Sequence, residues 1–401
     1  MTSRRRLVLG IQHALAMFGA TVLVPILTGL SPTVALVAAG VGTLLFHLVT
    51  KRIVPVFLGS SFAFIAAINA ASAEGYDFGA IGGGILVAGV VYVAVSFLVR
   101  VIGSDRIRRL LPPIVAGPVI AIIGITLAPV AIGQAQGNWW LALATLGATV
   151  VVAIFTKGLF KMLPILSGAV FGYIAAAIAG EVDFSGVSSA DWFGFPEFVT
   201  PTFTTGAIAL IAPVALVTMI EHVGDILTNG RVVGKDFFEE PGLNRTLLGD
   251  GLATMFAGLV GGPANTTYSE NTGVLAVTRV YDPAILRIGA AFAILLGLIP
   301  KVGAILLSVP VPVLGGLSIV LFGMIAAIGL RTLAESGSDF TQSRNLIVVA
   351  LIMVFGLGIS NVGGITIGRV TVSGLALAAV IGVVANLVLP DETSEPEPVL
   401  S

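Results

Sequence analysis

The chain has 401 residues, 56% of them hydrophobic and only 10% charged, with a formal net charge of −1 and a mean hydropathy of +1.06. Soluble domains carry about 25% charged residues, so a water-soluble globule is excluded, and a net charge so close to zero leaves no footprint for nucleic acid. The chain has no cysteine, which removes disulfides, thiolate metal sites and Cys nucleophiles.

Several apolar runs are long enough to cross roughly 30 Å of hydrocarbon as helix, and they are continuous rather than alternating, which argues against a barrel. The sequence predicts an all-α polytopic membrane protein, in contact with membrane lipid throughout. The first run is long and leads into others, so no cleavable signal peptide is expected. The 50 glycines exceed the usual ~7% and suit helices that approach closely in lipid.

In chain order the first half predicts spans at Leu7–Gly29, Thr33–Thr50, Ile53–Ala71, Ala80–Ile102, Pro113–Gln134, Trp139–Thr156 and Met162–Ala179. A polar loop, Gly180 to Thr205, follows. The second half predicts Gly206–Asn229, Thr246–Gly261, Asn265–Val280, Pro283–Leu306, Pro312–Leu330, Asn345–Asn361 and Val370–Leu389. The acidic, proline-containing tail (390–401) is expected to be disordered. Charge placement supports fourteen spans with both termini cytoplasmic. Of the 20 Lys and Arg, only Lys301 and Arg369 then fall outside, and the Gly180–Thr205 loop carries Glu181, Asp183, Asp191 and Glu197 but no cation.

Seven spans repeated twice place the halves in opposite orientations, the inverted-repeat plan of secondary transporters. That plan directs attention to interrupted segments at matching positions. The third span opens Ile53-Val-Pro-Val-Phe-Leu-Gly-Ser-Ser-Phe-Ala-Phe64, and the tenth opens on Gly262-Pro-Ala-Asn-Thr-Thr-Tyr-Ser-Glu270. Each begins with a proline and a polar, strand-tolerant stretch, then continues as a half-helix from about Ser61 or Ser269. Asn265 to Thr272 is an unbroken polar run that no lipid-facing helix could carry, since each unpaired polar group in hydrocarbon costs several kcal/mol. It is expected to line a protected cavity, so the Asn265-Thr-Thr glycosylation pattern is discounted.

Ionisable residues inside spans are few. Glu221 and Asp225 lie at i, i+4 on one face of the eighth span. Repulsion and burial together favour a proton on such a pair, and a carboxyl of that kind can carry protons across a membrane. His222 points to another face and reads as a structural hydrogen-bonder. Gln12 and His13 in span one suit either a brace between helices or a pathway role, and His47 is placed at the interface. No metal cluster, phosphate loop or nucleophile elbow is present, so neither enzyme chemistry nor a cofactor is expected.

Glu270-Asn-Thr-Gly-Val-Leu-Ala-Val-Thr-Arg279 resembles the signature of the nucleobase–ascorbate transporters, or nucleobase:cation symporter-2 family. That signature is Gln, Glu or Pro, then Asn-x-Gly-x-x-x-x-Thr, then Arg, Lys or Gly. Gln12–Pro25, Leu58–Ile65 and Glu221–Gly224 are similar to blocks of bacterial uracil permeases. The resemblance implies a core domain (7–102 and 206–306) and a gate domain (113–179 and 312–389). Short antiparallel strands are implied in segments three and ten. It also implies homodimers, and proton-coupled (or Na⁺-coupled) nucleobase uptake across the inner membrane by an elevator-like movement. By the same resemblance Glu221 and Glu270 hold the base and Phe62, Tyr268 and Ser269 line its site; Asp225, Glu221 and His13 are the candidates for proton coupling. Two positions depart from the uracil type: Asp225 stands where His is usual, as in the xanthine or urate branch, and Phe322 stands where Tyr is frequent.

Overall fold

The computed structural model describes residues 2–158, 160–367 and 370–390; Arg369 and the tail Asp391–Ser401 lie outside it. The first half of the chain forms α1 (Ser3–Thr28), α2 (Pro32–Val49), β1 (Leu58–Ser60), α3 (Ile65–Ala73), α4 (Phe78–Ile102), α5 (Ser104–Leu110), α6 (Pro113–Ala135), α7 (Trp139–Phe155), α8 (Pro164–Ile178) and α9 (Ser185–Ser189). The second half forms α10 (Thr205–Ile211), α11 (Val214–Val233), α12 (Leu243–Val260), β2 (Asn265–Thr267), α13 (Ser269–Thr278), α14 (Pro283–Gly297), α15 (Pro300–Leu307), α16 (Val311–Glu335), α17 (Ser343–Asn361), β3 (Ile365–Ile367), β4 (Val370–Val372) and α18 (Gly374–Val388).

Several helices start where the sequence supplies an acceptor for a first-turn amide. Asp77 accepts from Ala80 N at 2.7 Å, Asn138 from Leu141 N at 3.2 Å and Asp282 from Ala284 N at 2.9 Å. α12 ends at Gly261, whose φ of 78° a side chain would resist, and the chain turns there into β2.

Among the described residues, seven helices are long and apolar enough to span a membrane, eight if the bent pair α14–α15 is one span. The protein is thus a multi-pass integral membrane protein. Three spans differ from expectation. The eleventh bends by 80° between α14 and α15, where Pro300 cannot continue the preceding helix. The eighth is broken at Ala212–Pro213, between α10 and α11. The fourteenth begins as β4, paired antiparallel with β3, and becomes helical only at Gly374. A short helix, α5, lies in the connection between the fourth and fifth spans.

Two sets of helices pack chiefly within themselves. In one, α12 lies along α4 and α2, α14 along α2 and α1, and α10 against α4. In the other, α6 lies along α16, α7 against α8 and α16, and α17 against α18 and α6. The sets meet where α11 touches α6 and α18, and where α1 touches α8. Contacts within the first set are close enough to require glycine. A Cβ on Gly89 of α4 would stand 2.8 Å from the Gly251 carbonyl of α12, and one on Gly258 would stand 2.7 Å from that of Gly82.

Candidate functional site

The site is built where two interrupted segments meet. β1 and β2 pair antiparallel, with Leu58 opposite Thr267, Gly59 opposite Thr266 and Ser60 opposite Asn265. The ladder is extended by Tyr268 N to Phe57 O at 2.9 Å and by Ser61 N to Ala264 O at 2.8 Å. Two three-residue strands paired with each other leave two exposed edges and would not stand alone in a membrane. Here side-chain hydrogen bonds tie them to neighbouring helices. Thr43 Oγ1 accepts from Leu58 N at 3.0 Å, Thr254 Oγ1 donates to Asn265 O at 2.7 Å, and Asn265 Nδ2 donates to Ala38 O at 2.8 Å. Tyr268 crosses back to donate its hydroxyl to Ser60 O at 2.8 Å.

After each strand the chain turns helical: through Phe62–Phe64 into α3, and from Ser269 as α13. First-turn amides have no partner within a helix and carry the positive end of its dipole, and both openings border one space. That space is a cavity lined by Phe62, Glu221, Asp225, Tyr268, Ser269 and Glu270, and also by Ile120, Thr266, Thr267, Ile325 and Ile328. Its lining holds three carboxyl groups and no Lys or Arg. Ser269 donates its hydroxyl to Asp225 Oδ1, which fixes one carboxylate against the start of α13. Asp225 is buried rather than solvated at the end of its helix. On the opposite wall Phe62 meets Phe322 edge to face, centroids 6.0 Å apart at 73°; Ile120, Ile325 and Ile328 from α6 and α16 complete that wall.

Of the residues singled out from the sequence, the cavity gathers Glu221, Asp225, Glu270, Phe62, Tyr268 and Ser269. His13 does not line it. It is buried beneath α13, where Asn271 Nδ2 reaches its Nδ1 at 3.1 Å and its carbonyl at 3.0 Å. Gln12 donates to the Met162 thioether, a brace between α1 and the segment before α8. His47, in the last turn of α2, is buried in the protein, and its Nε2 bonds the Val56 carbonyl at 2.8 Å, supporting the approach to β1.

One buried group escaped the sequence reading. Asp250 on α12 is fully buried, with Oδ2 2.8 Å from His222 Nδ1. Asp250 also accepts from Thr267 Oγ1 at 3.2 Å and from Thr267 N at 3.3 Å. His222 Nε2 is 2.9 Å from Thr246 Oγ1. The carboxylate therefore anchors the last residue of β2, from behind the cavity wall. A lone acid inside an apolar run was the available signal. Among the described residues no three His, Asp or Glu are grouped to hold a metal ion.

Apolar spans enclosing a polar cavity built from broken segments define a membrane permease by their form. The Permease family model matches residues 4–365, and the chain belongs to that family. It is 46% identical to the uracil permease of Bacillus caldolyticus over 95% of this chain and 91% of the relative. It is 43% identical to the uracil permease of Bacillus subtilis (strain 168), over 96% and 92%. Among solved structures, SLC26A9 matches with a TM-score of 0.71 at 12% identity, over 95% of this chain and 64% of that one. The last likeness speaks for the fold alone.

Proposed function

We propose that the protein takes up uracil, coupled to protons, across the cytoplasmic membrane. The observation that carries this reading is the convergence of Glu221 and Glu270 in one cavity beside two half-helix openings. Uracil is a flat ring with N–H donors and carbonyl acceptors. Carboxylates accept its N–H groups in charge-assisted bonds, and the amides opening α13 and the Phe62 turn donate to its carbonyls. Phe62 covers a ring face, a contact of about 1 kcal/mol. The names of the two relatives favour this substrate. Three carboxyl groups lining one cavity repel one another, which gives a proton a binding place with Asp225 as carrier.

The architecture read into this function is fourteen spans with both termini cytoplasmic. The seven long helices, the bent pair and four shorter apolar helices support the count when α12 and α13 are added. Contact pairs also match between halves, as an inverted repeat requires: α4 with α12 answers α14 with α2, and α7 with α8 answers α17 with α18. The first helix set is the core domain (7–102, 206–306), which carries the site, and the second is the gate (113–179, 312–389). Transport is elevator-like movement of core against gate, in a homodimer joined through the gates.

A thermal-shift series against uracil, thymine, xanthine, hypoxanthine, urate and ascorbate tests the reading. Uracil should stabilise most. Xanthine or urate stabilising more than uracil would favour the purine reading that Asp225 suggests. Sulfate flux through liposomes without nucleobase uptake would favour an anion transporter, against which the carboxylate-lined cavity argues.

A further inference from the structure

Away from the polar cavity, α11 turns its other face to a second one. Met219, Ile220 and Val223 of α11, with Val95, Ala379 and Val383, line an apolar groove of about 250 Å³ where the two helix sets meet. It opens sideways between Leu216, Val380 and Val384, all exposed. Apolar cavities of this size stay free of water and take up hydrocarbon. One end is roofed by α5, whose Ile107 lines the groove and is buried while Arg106 and Arg109 are exposed. Their guanidinium groups have no ion pair or hydrogen bond among the described residues. α5 is held across the seam: Ser104 Oγ donates to Phe238 O at 3.3 Å, and Asn386 Nδ2 of α18 donates to Arg109 O at 3.1 Å.

A second groove, of about 220 Å³, lies at the other seam between α1, α8, α15 and α16. It is equally apolar, and among the described residues no unpaired cation stands over it; Lys301, next to its lining residue Val302, stands over the Trp192 ring at 5.0 Å. The two grooves thus offer the same hydrocarbon surface, and among the described residues only the first has exposed, unpaired arginines on the helix that closes one end. Basic groups over a pocket between membrane helices favour anionic headgroups. We infer that the first groove is a binding site for an anionic phospholipid, one acyl chain against Ile220, Val223 and Val383 and the phosphate against Arg106 and Arg109. The site is separate from the nucleobase reading and does not depend on it.

The test is native mass spectrometry of the full chain in neutral detergent, titrated with phosphatidylglycerol or with phosphatidylcholine of the same acyl chains. Phosphatidylglycerol adducts should exceed phosphatidylcholine adducts at least about fivefold, and Arg106→Ala/Arg109→Ala should bring the ratio near one. Ala379→Phe, which fills the groove with both arginines kept, should lower phosphatidylglycerol occupancy, whereas Ala169→Phe in the second groove should leave it unchanged. Glycerol 1-phosphate, a headgroup without tails, should not compete. Equal binding of the two lipids, a preference surviving in the double arginine variant, or competition by glycerol 1-phosphate overturns the inference. Each variant is first required to give a single size-exclusion peak; if Ala379→Phe does not, Val380→Phe at the groove mouth takes its place.

Discussion

Glu270 is the second residue of α13, and Glu221 and Asp225 face it from α11 across one cavity. On the uracil reading Glu270 accepts a ring N–H, and bonds to charged groups contribute about 1.5–3 kcal/mol. Glu270→Gln should therefore weaken uracil binding roughly 10- to 100-fold and leave the thermal midpoint of the ligand-free protein nearly unchanged. Titration calorimetry beside a melting curve checks both halves; wild-type affinity in the variant would remove Glu270 from the site. Asp225 has a different expected signature. Its carboxylate already accepts from Ser269, so Asp225→Asn keeps a polar partner there but cannot gain or lose a proton. Uptake in proteoliposomes should lose its dependence on external pH while uracil still binds. A pH profile identical to wild type would move the coupling to Glu221.

At the scale of elements, the pairing of β1 and β2 sets where Phe62, Thr266, Thr267, Tyr268, Ser269 and Glu270 sit in the cavity. Gly59 is its tightest point, since a Cβ there would meet the Tyr268 ring and stand 2.6 Å from Thr21 Oγ1. Gly59→Ala should force Tyr268 off the Ser60 carbonyl and cost about 1–3 kcal/mol of stability, read as a lower melting temperature together with weakened uracil binding. Unchanged affinity would mean that strand spacing does not position the site. The paired prolines and the polar run before Glu270 made this region legible in the sequence, because apolar periodicity stops there and nothing in lipid tolerates such a stop. Glu221 and Asp225 were legible for the same reason, as charges in an otherwise apolar helix. What stayed hidden depended on partners distant in the chain. Asp250 acquires its role only through His222 and Thr267, and Ile120, Ile325 and Ile328 are indistinguishable in sequence from any lipid-facing isoleucine. The two roles left open for His13 have the same local sequence context, since a buried histidine bracing Asn271 looks in sequence like one lining a pathway.

At the scale of the whole molecule, transport on this reading requires the two helix sets to move against each other. The seam between α1 and α8 offers a way to stop that movement. A Cβ built on Gly19 of α1 would lie 3.3 Å from the Ile165 Cβ of α8, close to the ~3.5–4.5 Å that a disulfide spans. The chain has no cysteine of its own, so in a Gly19→Cys/Ile165→Cys variant only the introduced thiols can react. The cavity residues lie elsewhere, on α6, α11, β2, α13, α16 and the Phe62 turn, so the bond should leave the carboxylates and half-helix openings intact. Oxidation should then cut uracil uptake by proteoliposomes at least about tenfold and preserve uracil binding in the same preparation, and dithiothreitol should restore uptake. The split between the two readouts matters, because a cross-link that merely damaged the fold would remove both. Complete cross-linking with undiminished uptake would show that α1 and α8 travel together, and the boundary between moving and fixed parts would have to be drawn along a different seam.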